Sequence, residues 1–119
     1  MDIETFRDYC LAKKGVTEDL PFGPDVLVLK VMGKMFALAS LDAVPLRLNL
    51  KCDPEEAITL REEHPNNILP GYHMNKMHWN TLVLDGFLLN SLIFGLTDHS
   101  YNLVIQGLPK KLQADLENL

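Results

Sequence analysis

Two apolar, strand-length runs follow one another within VLVLKVMGKMFALASLD, residues 26–42, and this stretch constrains the fold more than any other. Gly33 and Lys34 separate the runs, and a short glycine-containing separator between two such runs indicates a β-hairpin. The next segment, LRLNLK, alternates leucines with polar residues over positions 46–51, which is the period of a half-buried strand. The sequence therefore predicts three consecutive antiparallel strands.

A helix is predicted on either side of these strands. Near the N-terminus, Ile3, Phe6 and Cys10 recur at the spacing of one helical face. After the third strand, CDPEEAITLREEH places Asp53 at an N-cap position and Pro54 at the first helical position, with glutamates in the first turn. Glutamates are favourable there because the helix dipole is positive at its N-terminus.

The remaining segments complete an α+β fold. MHWNTLVLD, residues 77–85, predicts a further strand by its apolar and β-branched content, whereas TEDLPFGPD, residues 17–25, predicts an ordered loop. Apolar residues recur at helical spacing between positions 92 and 108 and predict a C-terminal helix. Because no linker divides the chain, we predict a single domain over residues 1–119: helix, three-stranded antiparallel sheet, helix, one or two further strands, and C-terminal helix.

Charge is distributed unevenly along the chain. There are 11 Lys and Arg against 16 Asp and Glu, a net charge of −5, which argues against tight non-specific binding to nucleic acid. Segments 26–51 and 66–84, however, carry five basic residues and one acidic residue. Two explanations stay open, because a basic sheet can contact phosphates and lysines also protect exposed sheet edges in proteins that bind nothing. The basic residues are Lys30, Lys34, Arg47, Lys51 and Lys76.

The segment GYHMNKMHWNTLVLDG, residues 71–86, concentrates hydrogen-bonding and stacking side chains. Aromatic and His side chains beside Lys and Asn are the groups that single-stranded nucleic acid contacts, through base stacking and phosphate bonds. Trp79 also fits a different role, as an anchor of the core or of an interface. The candidate nucleic-acid-binding residues of this segment are Tyr72, His73, Asn75, Lys76, His78, Trp79 and Asn80.

No catalytic or cofactor-binding motif is present in the sequence. The patterns GxGxxG, GxxxxGK[ST], GxSxG and HExxH are all absent, so we predict neither an enzyme nor a cofactor. His73 and His78 lie five residues apart, and on a continuous strand they would point to opposite faces. No metal site is therefore predicted, although a metal role stays open if His73 folds back from a loop.

The two cysteines and the N-terminus point to the cytoplasm. Cys10 and Cys52 are far apart and form no CxxC pair, so they are predicted to be free, buried thiols. The N-terminal segment lacks the basic start and apolar middle of a secretory signal. The apolar run FLLNSLIFGL is about half the length of a membrane-spanning helix, and we predict no membrane association.

Four segments, EDLPFGPDVLVLKVMGKMFAL, LNLKCDPEEA, NILPGYHMNKMHWNTLVLDG and DHSYNLVIQGLPKK, run in order from about Thr17 to Lys111. Together they resemble the MmcQ/YjbR family of small bacterial proteins. The resemblance implies a fold of helix, three antiparallel strands, helix, two strands and helix, which is CyaY-like and similar to secretion chaperones. It also implies the double-wing DNA-binding role proposed for that family. The segment GFLLNSLIF departs from similar sequences, which tend to begin the last helix with acidic, polar residues.

Two functional hypotheses emerge from these patterns. The first is a non-enzymatic DNA-binding protein that contacts the phosphate backbone through its basic sheet and hairpin, with the segment from Tyr72 to Asn80 adding stacking or hydrogen bonds. The second is a chaperone-like interaction module that forms a homodimer or binds a protein partner and has no nucleic-acid role. Its surface would be the apolar patch around Phe87, Leu88 and Leu89.

Overall fold

The computed structural model describes residues 1–71 and 74–119. Within these residues the elements follow in the order α1 (Ile3–Leu11), β1 (Val16–Asp19), β2 (Val26–Val31), β3 (Lys34–Ser40), β4 (Leu46–Lys51), α2 (Pro54–Glu63), β5 (Ile68–Pro70), β6 (Trp79–Leu84), α3 (Asn90–Gln106) and α4 (Lys110–Glu117).

One antiparallel sheet organises the molecule. Within the described residues it has six strands in the order β1-β2-β3-β4-β6-β5, and every neighbouring pair is antiparallel. The α+β class, the hairpin and the third strand are confirmed. The number of strands is larger than the sequence predicted, mainly because the segment predicted as a loop begins with β1. This edge strand pairs with β2 from Val16 opposite Val31 to Asp19 opposite Val28.

The hairpin between β2 and β3 turns one residue earlier than the sequence predicted. Met32 and Gly33 have φ values of 50° and 83°, whereas Lys34 is already the first residue of β3. Two central residues with positive φ characterise the tight turns whose twist matches that of the flanking strands. Glycine adopts this conformation without steric cost, which explains why Gly33 occupies the second position. Lys34 therefore extends from the start of the strand and is exposed.

A β-bulge in β3 brings two consecutive side chains to the same side of the sheet. Leu29 pairs with Ala37, and the next residue, Lys30, pairs with Met35. Phe36 is therefore the additional residue of β3, without a partner of its own on β2. Phe36 and Ala37 are both fully buried in the main core. Since the bulge shifts the alternation by one residue, Met35 comes to lie on the opposite face.

The two faces of the sheet have different environments. The helices pack on one face, and we call them the helix layer; Phe6 of α1, Ala57 of α2, Ile93 of α3 and Leu116 of α4 all join the main core there. We call the opposite surface the open face. A smaller apolar cluster covers part of it, made of Val28, Leu38 and Trp79 with Val26, Met35 and Met74 packed against them. In the described part of the chain, no helix is long and apolar enough to cross a membrane.

Candidate nucleic-acid interface

A recess of about 400 Å³ lies on the open face. Phe22, from the loop between β1 and β2, stands at its rim and is 62% exposed. The lining is mainly apolar, and two polar side chains from neighbouring strands interrupt it. The residues that line the recess are Phe22, Val26, Met35, Leu38, Ser40, Asn49 and Met74.

Asn49, a polar residue of the recess, has a defined partner on the sheet. Asn49 of β4 faces Leu38 on one side and Thr81 on the other. The Thr81 hydroxyl donates a hydrogen bond of 2.5 Å to Asn49 Oδ1, which leaves the amide NH₂ of Asn49 as a donor to other groups. An amide donor beside apolar side chains is the kind of contact that fixes the orientation of a bound ring.

Three predicted cations extend from this same open face. Strand register places Lys30 opposite Met35, Arg47 opposite Ser40 and Lys51 opposite Trp79. Arg47 and Lys51 are four residues apart on one strand, about 13 Å at the usual rise per residue. A single polyanion could therefore contact both Arg47 and Lys51 while it lies across the recess.

The partners of these cations differ. Lys30 Nζ lies 3.5 Å from a carboxylate oxygen of Asp19 on the neighbouring strand. Within residues 1–71 and 74–119, Arg47 and Lys51 form no ion pair. Exposed ion pairs contribute little and are screened by salt, so Asp19 offsets only part of the positive potential on this face.

A fourth predicted cation lies next to Lys51. Lys34 and Lys51 line a shallow cleft of about 270 Å³ together with Met35 and the end of α3. Met35 also lines the larger recess. Lys34 pairs with Val31 of the main core, so alternation directs its side chain toward the helix-layer side, and it lies near Lys51 at the end of the sheet.

The loop before β6 is held by Asn75. Its side-chain oxygen accepts the Met77 N–H at 2.9 Å, and its carbonyl accepts the N–H groups of His78 and Trp79. Lys76 is exposed in this turn, and its carbonyl accepts a 3.4 Å hydrogen bond from the Arg61 guanidinium. The predictions for Tyr72 and His73 fall outside the described residues.

Asn80 lies on the opposite side of the sheet from its neighbour Trp79. It is 2% exposed, receives a 2.8 Å hydrogen bond from Arg61, and donates at 3.3 Å to the Ala57 carbonyl. The prediction that Asn80 belongs to the binding surface is therefore wrong. Side chains alternate along β6, so Trp79 points to the open face and Asn80 points to the helix layer. Trp79 itself is largely buried beneath the open face, where it packs with Val28 and Leu38.

The apolar patch predicted around α3 is smaller than expected. Phe87 and Leu89 are 83% and 73% exposed, whereas Leu88 is 6% exposed and belongs to the main core. The segment turns into α3 at this point, so consecutive side chains point in different directions. Leu88 is therefore removed from the predicted patch, and two side chains remain.

The sequence prediction of free, buried cysteines is confirmed for Cys10 and Cys52. Burial raises the pKa of the Cys10 thiol to about 12 and that of the Cys52 thiol to about 11. Both thiols are therefore protonated at neutral pH when nothing binds them.

Sequence reasoning missed one cluster of possible metal ligands. A sulfur of Cys52, a carboxylate oxygen of Glu56 and an imidazole nitrogen of His99 lie within 4.8 Å of one another. Cys52 and Glu56 stand four residues apart around the start of α2, but His99 is brought in from α3 by the tertiary fold. No local spacing could have linked His99 to them, and the histidines that the sequence suggested as metal ligands were His73 and His78.

Comparison with known proteins shows which family the chain belongs to. The sequence profile of the family named YjbR matches residues 11–103, which include every strand described above. The chain belongs to the YjbR family. The expected resemblance is thereby confirmed, and it extends from the end of α1 into α3.

Relatives of this YjbR-family chain agree with that assignment. The uncharacterized protein YjbR of Escherichia coli K12 is 34% identical over 119 residues, which cover 100% of both chains. The uncharacterized protein YbdF of Escherichia coli O157:H7 is 43% identical over 94 residues, or 78% of this chain and 75% of that protein. A crystal structure of Deinococcus radiodurans protein DR2400, with a DUF419 domain, has a TM-score of 0.92 and 39% identity. That match covers 97% of this chain and 87% of the other.

Proposed function

We propose that this YjbR-family chain is a cytoplasmic, non-enzymatic DNA-binding protein whose binding surface is the open face of the sheet. One observation carries the proposal: Lys30, Arg47 and Lys51 extend from the face that the helix layer leaves uncovered, around an apolar recess. Lys34 lies near Lys51 at the end of the sheet, in a cleft that Met35 also lines, and adds a fourth cation at the edge of this surface.

The cations supply contacts to phosphate groups. Arg47 offers a planar fork of donors suited to a phosphate, and Lys51 offers a compact charge that adapts to a flexible backbone. The chain as a whole carries a net charge of −5, so most of the negative field lies elsewhere. A polyanion is consequently repelled by the rest of the molecule and attracted to the open face, which orients the encounter.

The recess favours single-stranded DNA over duplex DNA. Its volume of about 400 Å³ and its lining by Phe22, Met35 and Met74 suit the face of an unpaired base, which a duplex keeps stacked inside. Asn49 can donate from its amide to a polar edge of that base. Stacking of this kind is possible with every base, so we expect the protein to bind DNA with only a weak preference for base sequence.

Fluorescence anisotropy with labelled oligonucleotides in a salt series tests the proposal. If Lys30, Lys34, Arg47 and Lys51 each neutralise one phosphate, log K should fall against log salt concentration with a slope of about −2.8 for single strands. We expect a single-stranded 20-mer to bind more tightly than the matching duplex at each salt concentration. Absence of binding to either oligonucleotide at low salt would contradict the proposal.

The exposed pair Phe87 and Leu89 favours a second candidate function, a protein-interaction module in which the partner is a second copy of this chain. Two large apolar side chains that are 83% and 73% exposed are costly to leave in water. Sedimentation velocity over a concentration series should then reveal a dimer that Phe87→Ser with Leu89→Ser converts to monomer. A sedimentation coefficient of the monomer throughout would count against this candidate and leave DNA binding untouched.

A further inference from the structure

Three elements converge at the end of β4, on the side of the helix layer. Cys52 follows the last residue of β4, Glu56 lies in the first turn of α2, and His99 belongs to α3. Their donor atoms, one sulfur, one oxygen and one nitrogen, lie within 4.8 Å of one another. The cluster lies on the helix-layer side of the sheet, whereas Lys51, the residue before Cys52, directs its side chain to the open face.

His99 accepts a backbone hydrogen bond in this cluster. The backbone N–H of Asp53 donates to His99 Nε2 at 3.1 Å. An imidazole nitrogen that accepts a hydrogen bond is also the kind of atom through which histidine binds metals.

A carboxylate lies beside the same imidazole nitrogen. Glu56 Oε2 is 3.5 Å from His99 Nε2, and the Cys52 sulfur lies within 4.8 Å of both. A cation placed between the three donor atoms could contact each of them.

We propose that Cys52, Glu56 and His99 form a zinc site. Thiolate, imidazole and carboxylate are the ligands that zinc takes in proteins, whereas Mg²⁺ and Ca²⁺ prefer oxygen alone. Zinc–ligand bonds of about 2.0 to 2.3 Å in a tetrahedron place neighbouring donor atoms about 3.3 to 3.8 Å apart. The Nε2–Oε2 separation of 3.5 Å already falls in this range.

Binding requires only small changes in the protein. The Cys52 thiol releases its proton to the buffer and binds as thiolate. His99 exchanges its hydrogen bond from the exposed Asp53 N–H for the metal, and water takes the place of the imidazole on that N–H. The side chains of His99 and Glu56 are partly exposed, so a solvent molecule can complete the fourth position.

Zinc binding would connect three parts of the fold. It would fix the N-terminus of α2 and the middle of α3 to the end of β4. A ligand that binds only the folded state raises the melting temperature in a concentration-dependent way. We therefore expect zinc to stabilise the chain and the chelated protein to melt at a lower temperature.

The test uses the full chain, stripped with a chelator and titrated with zinc sulfate, with native mass spectrometry for stoichiometry and calorimetry for affinity. We expect one equivalent of zinc to bind. Cobalt(II) in place of zinc should give a sulfur-to-cobalt charge-transfer band that Cys52→Ser abolishes. His99→Gln and Glu56→Gln should each weaken zinc binding at least tenfold.

His64→Ala is the matched control, because it removes an imidazole at the other end of α2 from Glu56. It should leave zinc affinity unchanged. Circular dichroism establishes folding of each variant, and if Cys52→Ser does not fold, the two glutamine variants carry the test. Zinc affinity that is unchanged in both glutamine variants, or lost in His64→Ala, would overturn the proposal, as would absence of binding at micromolar zinc.

Discussion

Phe36→Ala should lower the free energy of unfolding by about 3 to 5 kcal/mol, which is the usual cost of truncating a buried phenylalanine. Phe36 is fully buried, and its ring makes an edge-to-face contact with Tyr101 at a centroid distance of 5.5 Å. Its carbonyl accepts a 2.5 Å hydrogen bond from the Ser100 hydroxyl, so the backbone is fixed against α3. Urea unfolding followed by circular dichroism measures the change.

Phe87→Ala is the matched control for this prediction. The same atoms are removed from a side chain that is 83% exposed, so the change should stay within about 0.5 kcal/mol. A loss of less than about 1 kcal/mol in Phe36→Ala would contradict the packing described for the bulge. Equal losses in the two variants would contradict the assignment of Phe36 to the core.

Lys34→Glu combined with Lys51→Glu should weaken binding to single-stranded DNA on the order of 100-fold at low salt, about 2.7 kcal/mol. The two side chains line one cleft, and each reversal replaces attraction to a phosphate with repulsion. The salt slope should also become shallower by about 1.4, because two phosphate contacts are lost. Anisotropy in the salt series measures both quantities.

Arg7→Glu combined with Lys14→Glu provides the same change in net charge on the helix layer. Arg7 forms an ion pair with Glu18, and Lys14 donates to the Glu117 carbonyl; both are exposed contacts of small stabilising value. This variant should keep most of the DNA affinity and the full salt slope. If both variants weakened DNA binding equally, net charge rather than the open face would be responsible.

The fold could be predicted from the sequence wherever local pattern decided the structure. The alternating leucines of β4 and the Asp53 N-cap of α2 both gave the correct element and nearly the correct boundary. β1 was missed because Val16–Asp19 has one apolar residue and becomes a strand only by pairing with β2. The proline- and glycine-rich segment after it also indicated a loop.

The site was predicted less completely, because the direction of a side chain depends on tertiary contacts. The cations of the open face were found by counting charges, and strand register then placed Lys30, Arg47 and Lys51 on one surface. Asn80 was assigned to the surface although its amide is used by Arg61 in the core. The cluster containing Cys52 and His99 joins positions 47 residues apart, which no motif could reveal.

The chain contains one tryptophan, and Trp79 lies directly under the open face, in contact with Val28 and Leu38 rather than with the helix layer. Intrinsic fluorescence therefore comes from a single place in the molecule. The emission wavelength of Trp79 and the quenching of its fluorescence should therefore change when DNA binds to the open face. Because Trp79 also pairs with Lys51, the residue before Cys52, titrations with DNA that use this fluorescence require zinc-free protein.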